Sequence, residues 1–494
     1  LSAQNHCKYP DKGILQEPLP RYLGGQFYNM KLICIGLLFL WQLPAAAQPV
    51  LIAEDKNLNK TTDGYKQGFL VDTPKEIDGS FFFSTPNFRL YQTDGTPNGT
   101  KMLVQFPAES LVYVKAVTKK FVYFTILNGG RHSLRRLDRQ TLKQEPLTNQ
   151  QKPLTLEMGY TAVFTSTSKD LIALRMYNLE AGITQLIAFS DDGPVDAKWV
   201  TASLKSDNSS LLNNFSDVAF LGPHIFYHGF EKKQLDGQSV FEYIIQSSAP
   251  ATTGNAQEYT TSNVYSLRSQ GYELNDKFYT INDSLFTLGF LRNKQTGARD
   301  LFIASIHQQT LRVAAIMPTD QNFVWGEILD NQLYLVNGNR LLGWVPGSGT
   351  IKEVFRKRTY HYQPLQPDRS LLKCGNYLVL REEDSLRTFD LQNNNFEHVG
   401  MPENFTPPNS LYNRKNHIAW TNLNFIYYIR YNGFVPSLIQ YDPVSRQHTP
   451  VVFPEYKNEQ FTSFQAIFQL EGKLLFLTKY TGKKDQPVYR IFVM

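Results

Sequence analysis

Cysteine is nearly missing from this chain: the 494 residues contain only Cys7, Cys34 and Cys374. Cys7 and Cys34 lie in the first 47 residues, so the remainder holds Cys374 alone, and an intrachain disulfide there is excluded. Methionine is also scarce, 7 residues against 34 Phe and 27 Tyr. Charge of either sign is in short supply as well. The formal surplus is +6; residues 1–47 carry four of the cations and two of the acids, which leaves +4 for the rest. A nucleic-acid binder concentrates its cations in a stripe. Here they form only short clusters, Arg135, Arg136 and Arg139, then Lys352, Arg356, Lys357 and Arg358, which read as solvated strand faces and loops. Nucleic acid is therefore not an expected partner. After residue 47 no apolar run approaches the roughly 20 residues of a membrane-spanning helix, so no integral membrane segment is expected there.

The one clear apolar run is short and lies early. Met30 and Lys31 precede Leu32 to Trp41, followed by Pro44 and Ala45, Ala46, Ala47. A positive start, a brief apolar core and small residues at a cleavage position are the signature of a secretory signal peptide. Residues 1–29 contain no Met and read as a mis-assigned leader, 30–47 as the signal, and 48–494 as the exported domain, beginning at Gln48. Cys34 lies too early for a lipidated cysteine at the cleavage site. The expected location is periplasmic, secreted or cell-surface associated.

What is abundant is strand-forming sequence. With 42% hydrophobic residues and 13% aromatics, the apolar runs are filled by β-branched and aromatic residues rather than by helix formers. From residue 70 the same grammar recurs: an apolar strand, a tight polar turn, and a second strand rich in Leu, Tyr and Phe. The turns lie in 77–83, 117–124, 167–174, 220–227, 281–287, 329–335, 373–379, 423–428 and 470–476. Asp-Gly, Asn-Asp, Asp-Asn, Gly-Asn and Glu-Gly supply the positive φ that a two-residue hairpin demands. A third strand often ends in Leu-x-x-apolar-Asp, as in 133–138, 385–390 and 437–442, and a turn with a short fourth strand follows. Four antiparallel strands recurring every 40 to 60 residues or so make the blade of a β-propeller.

The expected fold is thus all-β, a single large propeller over 48–494. Nine hairpins are legible. Nine-bladed rings are rare and the unit near 167 is degenerate, so the expectation is about eight blades within a range of seven to nine. The last segment, 488–494, reads as a third strand, and a strand near Val50 to Ala53 is expected to complete that blade and close the ring, hiding its edges. The competing architecture is two packed β domains joined through the polar segment 246–263.

One unit carries a motif. Leu90, Asp94, Gly95, Thr96, Gly99 and Thr100 match the pattern Leu-Trp-x-x-Asp-Gly-Thr-x-x-Gly-Thr, with Tyr91 at the Trp position. This resembles the repeat of a family of exported bacterial β-propeller proteins, which implies a secreted or cell-surface propeller and no particular activity. Read from its residues, the motif is a turn between outer strands: Asp94 and Thr96 bond the local backbone, and Gly95 and Gly99 adopt positive φ.

Chemistry is sparse. His224 and His228 share one strand face, too far apart for a common metal and without a third ligand. Asp191, Asp192 and Asp196 around Gly193 read as an outer turn rather than a calcium loop. No nucleophile elbow, phosphate loop or HExxH helix is present. No cofactor and no metal are implied. The expected function is a non-catalytic binding module, monomeric, for a glycan or protein partner, with Trp325, Trp344 and Trp420 as candidate stacking residues. The alternative is a secreted carbohydrate-active hydrolase or lyase with carboxylates at the central channel.

Overall fold

The computed structural model describes residues from Gln48 onward, apart from 57–74, 157–161, 179–182, 200–203, 206–216, 251–258, 267–271, 293–296, 357–370, 400–418, 483–486 and gaps of one or two residues. The leader and signal segments read from the sequence lie outside the described residues.

Nine antiparallel sheets of four or five strands are the blades of a single propeller, and the first eight follow one another along the chain. Blades 1 to 8 occupy 75–105, 111–156, 162–205, 218–266, 272–319, 325–356, 372–399 and 419–451. Blade 9 takes three strands from the C-terminus, Gln460–Leu470, Lys473–Thr481 and Pro487–Val493, and its fourth from the N-terminus, Val50–Lys56, here the closing strand. It pairs antiparallel with Pro487–Val493, as the sequence led one to expect.

All nine hairpins survive, so the reduction to about eight was unnecessary; the degenerate unit near 167 forms blade 3. Its turn has Lys169 in the left-handed region, at φ 56°, where the corresponding turns of blades 1, 4, 5, 6, 7 and 9 place Asp, Asn or Gly. In three of them both central residues have positive φ, Asp78-Gly79, Asn282-Asp283 and Asp330-Asn331, as a type I′ hairpin requires. The two-domain alternative is not what forms. The polar segment at 246–263 contributes the end of the third strand and the start of the fourth strand of blade 4, paired from Gln246↔Asn263 to Pro250↔Tyr259.

The core explains the strand composition. Each blade is packed on both faces, so alternate residues of one strand enter different seams. In blade 1, Phe82 faces blade 2 with Val122 and Phe124, whereas Phe81 and Phe83 face blade 9 with Leu475 and Leu477. Nine apolar clusters each join two consecutive blades, and one of them joins blade 9 back to blade 1 through Ile52 of the closing strand. Strands buried on both faces read as apolar runs rather than as alternation, which is why Phe81-Phe82-Phe83 and Val122-Tyr123-Phe124 appear. Ion pairs add to some seams: Asp330 with Lys373, Glu397 with Arg446, and Asp55 with Arg89. The first two are partly exposed and contribute about 0 to 1 kcal/mol each, so the apolar seams carry the ring.

Strand alternation fixes which loops share an end. Turns between first and second strands and between third and fourth strands lie at one end of the ring; the links between blades and the second-to-third connections lie at the other. At the first end the recurring Asp explains itself. Asp94, Asp138, Asp390 and Asp442 close the third strand, and each accepts a hydrogen bond from the backbone N–H two residues on. This is the Asx turn, a local bond that stops the strand.

The motif at 90–100 is such a turn between the third and fourth strands of blade 1. Asp94 Oδ1 accepts from Thr96 N at 2.8 Å and Thr96 Oγ1 at 2.7 Å, and Thr100 Oγ1 donates to the Thr96 carbonyl at 2.6 Å. Gly95 has φ +79°, as expected; Gly99 does not show positive φ and is glycine for another reason. A Cβ there would lie 2.0 to 2.1 Å from the Asp94 carboxylate atoms. Gly99→Ala must expel Asp94 from its turn and is expected to cost about 1 to 3 kcal/mol in urea unfolding. No loss in that measurement would show that the turn does not depend on this approach.

Candidate functional site

The three tryptophans do not converge. Trp325 and Trp344 lie on the first and third strands of blade 6, Trp420 on the first strand of blade 8. Trp344 is 1% exposed in the seam between blades 5 and 6, with Phe286 edge-on at 5.0 Å. Trp420 is 7% exposed in the core between blades 8 and 9, and Trp325 packs half-buried against the core between blades 6 and 7. Trp344 and Trp420 are core residues in this fold.

Asp191 and Asp196 hold two blades together. Asp191, at the end of the third strand of blade 3, accepts from Thr118 Oγ1 at 2.6 Å and Lys120 N at 3.0 Å in the first hairpin of blade 2. Asp196 accepts from Thr148 Oγ1 at 2.6 Å and Gln151 N at 2.9 Å. Those partners belong to a small hairpin, Thr148–Asn149 with Lys152–Pro153, which interrupts the outer edge of blade 2. Of the basic clusters, Arg136 is paired with Glu145 across its face of Phe121 and Arg356 with Glu353; Lys357 and Arg358 lie outside the described residues. His228 stacks on Phe278 of blade 5 at 4.2 Å. Among the described residues no group of three or more His, Cys, Asp or Glu could hold a metal ion.

Burial raises the Asp191 carboxyl above its ordinary pKa, opposed by the Thr118 and Lys120 hydrogen bonds. A raised folded-state pKa contributes stability that is complete below the unfolded value, about 3.9, and is lost as pH rises through the folded value. Asp191→Asn does not titrate and loses one acceptor. It is therefore expected to be less stable than wild type in acid, with the gap narrowing toward neutral pH. Urea midpoints at pH 4 and pH 7 measure this, and a gap that widened with pH would contradict it.

A dense arrangement of aromatic and charged side chains lies at the opposite end, where the link from blade 8 enters blade 9. Arg490 occupies the third strand of blade 9, flanked in register by Thr478 on one side and Glu54 of the closing strand on the other. Its side chain is 2% exposed. Nε and Nη2 donate to Glu54 Oε2, both at 2.9 Å, and Nη1 donates to Glu459 Oε2 at 2.5 Å. The guanidinium lies 3.6 Å from the Tyr456 ring centre and 4.7 Å from that of Tyr480. A buried arginine is tolerable in this setting because two carboxylates and two ring faces compensate it.

The link itself is shaped for this. Tyr456 to Glu459 is a tight turn closed by Glu459 N donating to the Tyr456 carbonyl at 3.1 Å, with Asn458 at φ 66° in its third position. Tyr480 donates its hydroxyl to the Pro454 carbonyl at 3.1 Å, anchoring the entry to the turn. Burial raises both phenols, Tyr480 to about 12, so they stay neutral at physiological pH. Around them Phe453 stacks on Phe461 at 5.8 Å and meets Phe464 edge-on at 5.3 Å. Phe453, Tyr456, Phe461 and Phe464 are all half-buried, forming an accessible aromatic layer over the blade 8–9 core that contains Trp420. The carboxylates keep partial access, with the Glu54 side chain 26% and the Glu459 side chain 21% exposed.

Sequence reading passed over this site. Its signal was the density of aromatics in 453–468, Phe453, Tyr456, Phe461, Phe464 and Phe468. Nothing in the spacing links them to Arg490 or to Glu54, which closing the ring brings to them.

No family model matches the sequence, and no curated protein matches it. Solved structures do resemble it in fold. A prolyl endopeptidase aligns at TM-score 0.39 and 12% identity, over 84% of this chain and 54% of that one. Dipeptidyl peptidase 4 of Porphyromonas gingivalis aligns at 0.46 and 7%, over 83% and 64%. BamB from Moraxella catarrhalis aligns at 0.38 and 10%, over 90% and 100%. The chain thus spans less than two thirds of the two peptidases. At these scores the likeness carries no argument about activity, and the repeat signature at 90–100 remains a resemblance confined to one unit. What stands is the architecture, a nine-bladed β-propeller.

Proposed function

We propose that this protein is an exported, non-catalytic recognition propeller that binds a glycan at the seam between blades 8 and 9. The observation that supports it is the grouping of four half-buried aromatic rings with two partly exposed carboxylates, of which Tyr456, Glu54 and Glu459 are held by one buried arginine. Aromatic faces stack on the C–H faces of sugar rings, and carboxylates accept hydrogen bonds from sugar hydroxyls; a small number of fixed polar groups beside an apolar platform is the usual build of such a site. Arg490 is engaged with the two carboxylates and two rings. Its role here is to fix the others, so that little ordering is required on binding.

The test is retention of the purified protein on an array of polysaccharides with product analysis of each one retained. Retention without cleavage is the expected result, and Tyr456→Ala is expected to weaken it at least tenfold when measured below the unfolding midpoint of the variant, which loses a ring face from Arg490. Cleavage would overturn the non-catalytic reading and direct attention to acids near the channel. Retention indifferent to Tyr456 would remove the seam from the account.

A further inference from the structure

Arg490 belongs to two systems at once. Through Tyr456 and Glu459 it orients the link that carries the candidate site. Through Glu54 it grips the closing strand, the only strand of blade 9 contributed by the N-terminal part of the chain. The contacts are made by one guanidinium, so the two systems share a single geometry: a movement of the closing strand that shifts Glu54 alters the support of Tyr456 and Glu459, and the reverse holds equally. The planar fork of arginine makes this sharing possible, since a lysine ammonium cannot reach two carboxylates in parallel while stacking on two rings.

The closing strand takes the outermost place that the fourth strand holds in the other blades, but it is contributed by residues 50–56 rather than by the segment that follows the third strand. It is an outermost strand, held by one neighbour, Pro487–Val493, with a register irregularity between Leu51 and Ala53. On the blade 8 side its charged anchor is Glu54 on Arg490; on the blade 1 side Asp55 meets Arg89. The second anchor does not touch the aromatic seam, which provides an internal comparison.

We infer that Arg490 is a positioning residue that couples the blade 8–9 seam to closure of the ring: ordering of the Tyr456 to Glu459 turn and seating of the closing strand strengthen one another. This rests on the seam being the binding site only for its consequence that a bound glycan tightens closure. The coupling itself is a property of the unliganded protein. Thermodynamic linkage makes it reciprocal, so an effect on the strand from changes in the turn must accompany an effect on the turn from changes in the strand.

Amide hydrogen exchange of the full chain, read by mass spectrometry on the fragments covering 50–56 and 453–464, tests it. Tyr456→Ala and Glu459→Gln, both remote in sequence from the closing strand, are expected to speed exchange in 50–56 about tenfold. Glu54→Gln is expected to speed exchange in 453–464 to a similar degree. Arg490→Lys should do both, and Arg89→Lys should speed 50–56 while speeding 453–464 by less than Glu54→Gln does, because it leaves the Glu54–Arg490 bond in place. A merely local role predicts changes confined to the mutated element, and that outcome overturns the coupling. In a second arm, 5 mM cellohexaose is added: slower exchange in both fragments supports the consequence for binding. Protection of 453–464 without 50–56 overturns the coupling and leaves the binding site standing, whereas no protection in either removes this glycan from the proposed function without touching the first arm.

Discussion

Arg490→Leu is expected to be the most destabilising single change on this face of the molecule, by about 3 kcal/mol in urea unfolding, with rapid proteolysis near the N-terminus. Removing one partner of a buried ion pair typically costs 3 to 5 kcal/mol, because the other charge is left without compensation. Here the abandoned carboxylates are partly exposed, at 26% and 21%, so water recovers some of that cost and the lower end applies. Leucine replaces part of the packing against Tyr456 and Tyr480 but neither the cation–π attraction nor the bonds to Glu54 and Glu459. A comparison with Arg89→Leu separates the seams: that change loosens the closing strand from blade 1 and leaves the Arg490 bonds to Glu54 and Glu459 in place. If Arg490→Leu unfolded at the wild-type midpoint with its N-terminus intact, the cluster would be a surface decoration and the reading of the seam would fail with it.

Trp344→Ala is expected to cost about 3 to 5 kcal/mol, the usual result of emptying an aromatic site in a core. Its ring, 1% exposed, fills the space between blades 5 and 6 among Leu333, Leu335, Leu342 and Ile303. Trp344→Phe should recover most of that, and neither variant should change retention on polysaccharides when measured below its unfolding midpoint. Loss of retention with stability preserved would instead place Trp344 at a binding surface, contrary to where the structure puts it.

The fold was legible because a propeller is written locally. Most hairpins announce themselves through turn residues with positive φ, as in Asp78-Gly79 and Asn282-Asp283, and the runs at 81–83 and 122–124 follow from burial on both faces. Closure by a strand near Val50 was also legible, because the last blade ends one strand short. Blade number was harder: the turn at Lys169 lacks the usual residues, and rarity of nine-bladed rings argued against counting it, although Leu171 to Leu174 alternates between the cores toward blades 2 and 4 like any other blade.

The candidate site was not legible, and the reason is geometric. Glu54 and Arg490 are separated by 436 positions and meet only because the ring closes. Tryptophan drew attention as a stacking residue, yet a large ring is just what a seam between blades needs, and Trp344 and Trp420 were used there. The accessible rings are Phe and Tyr on the link, and only the packing of blade 8 on blade 9 shows that they group. Asp191 and Asp196 show the same limit. Their spacing defined a turn correctly, but their bonds to Thr118 and Thr148 of the preceding blade depend on which blades are neighbours.

The proposed recognition at the blade 8–9 seam requires a closed ring. A hydrogen-exchange footprint of the protein with a polysaccharide retained on the array tests it most directly. The account predicts protection concentrated in 453–464 and 50–56. Protection centred instead on the Asx turns at Asp94, Asp138, Asp390 and Asp442, at the opposite end of the ring, would contradict it.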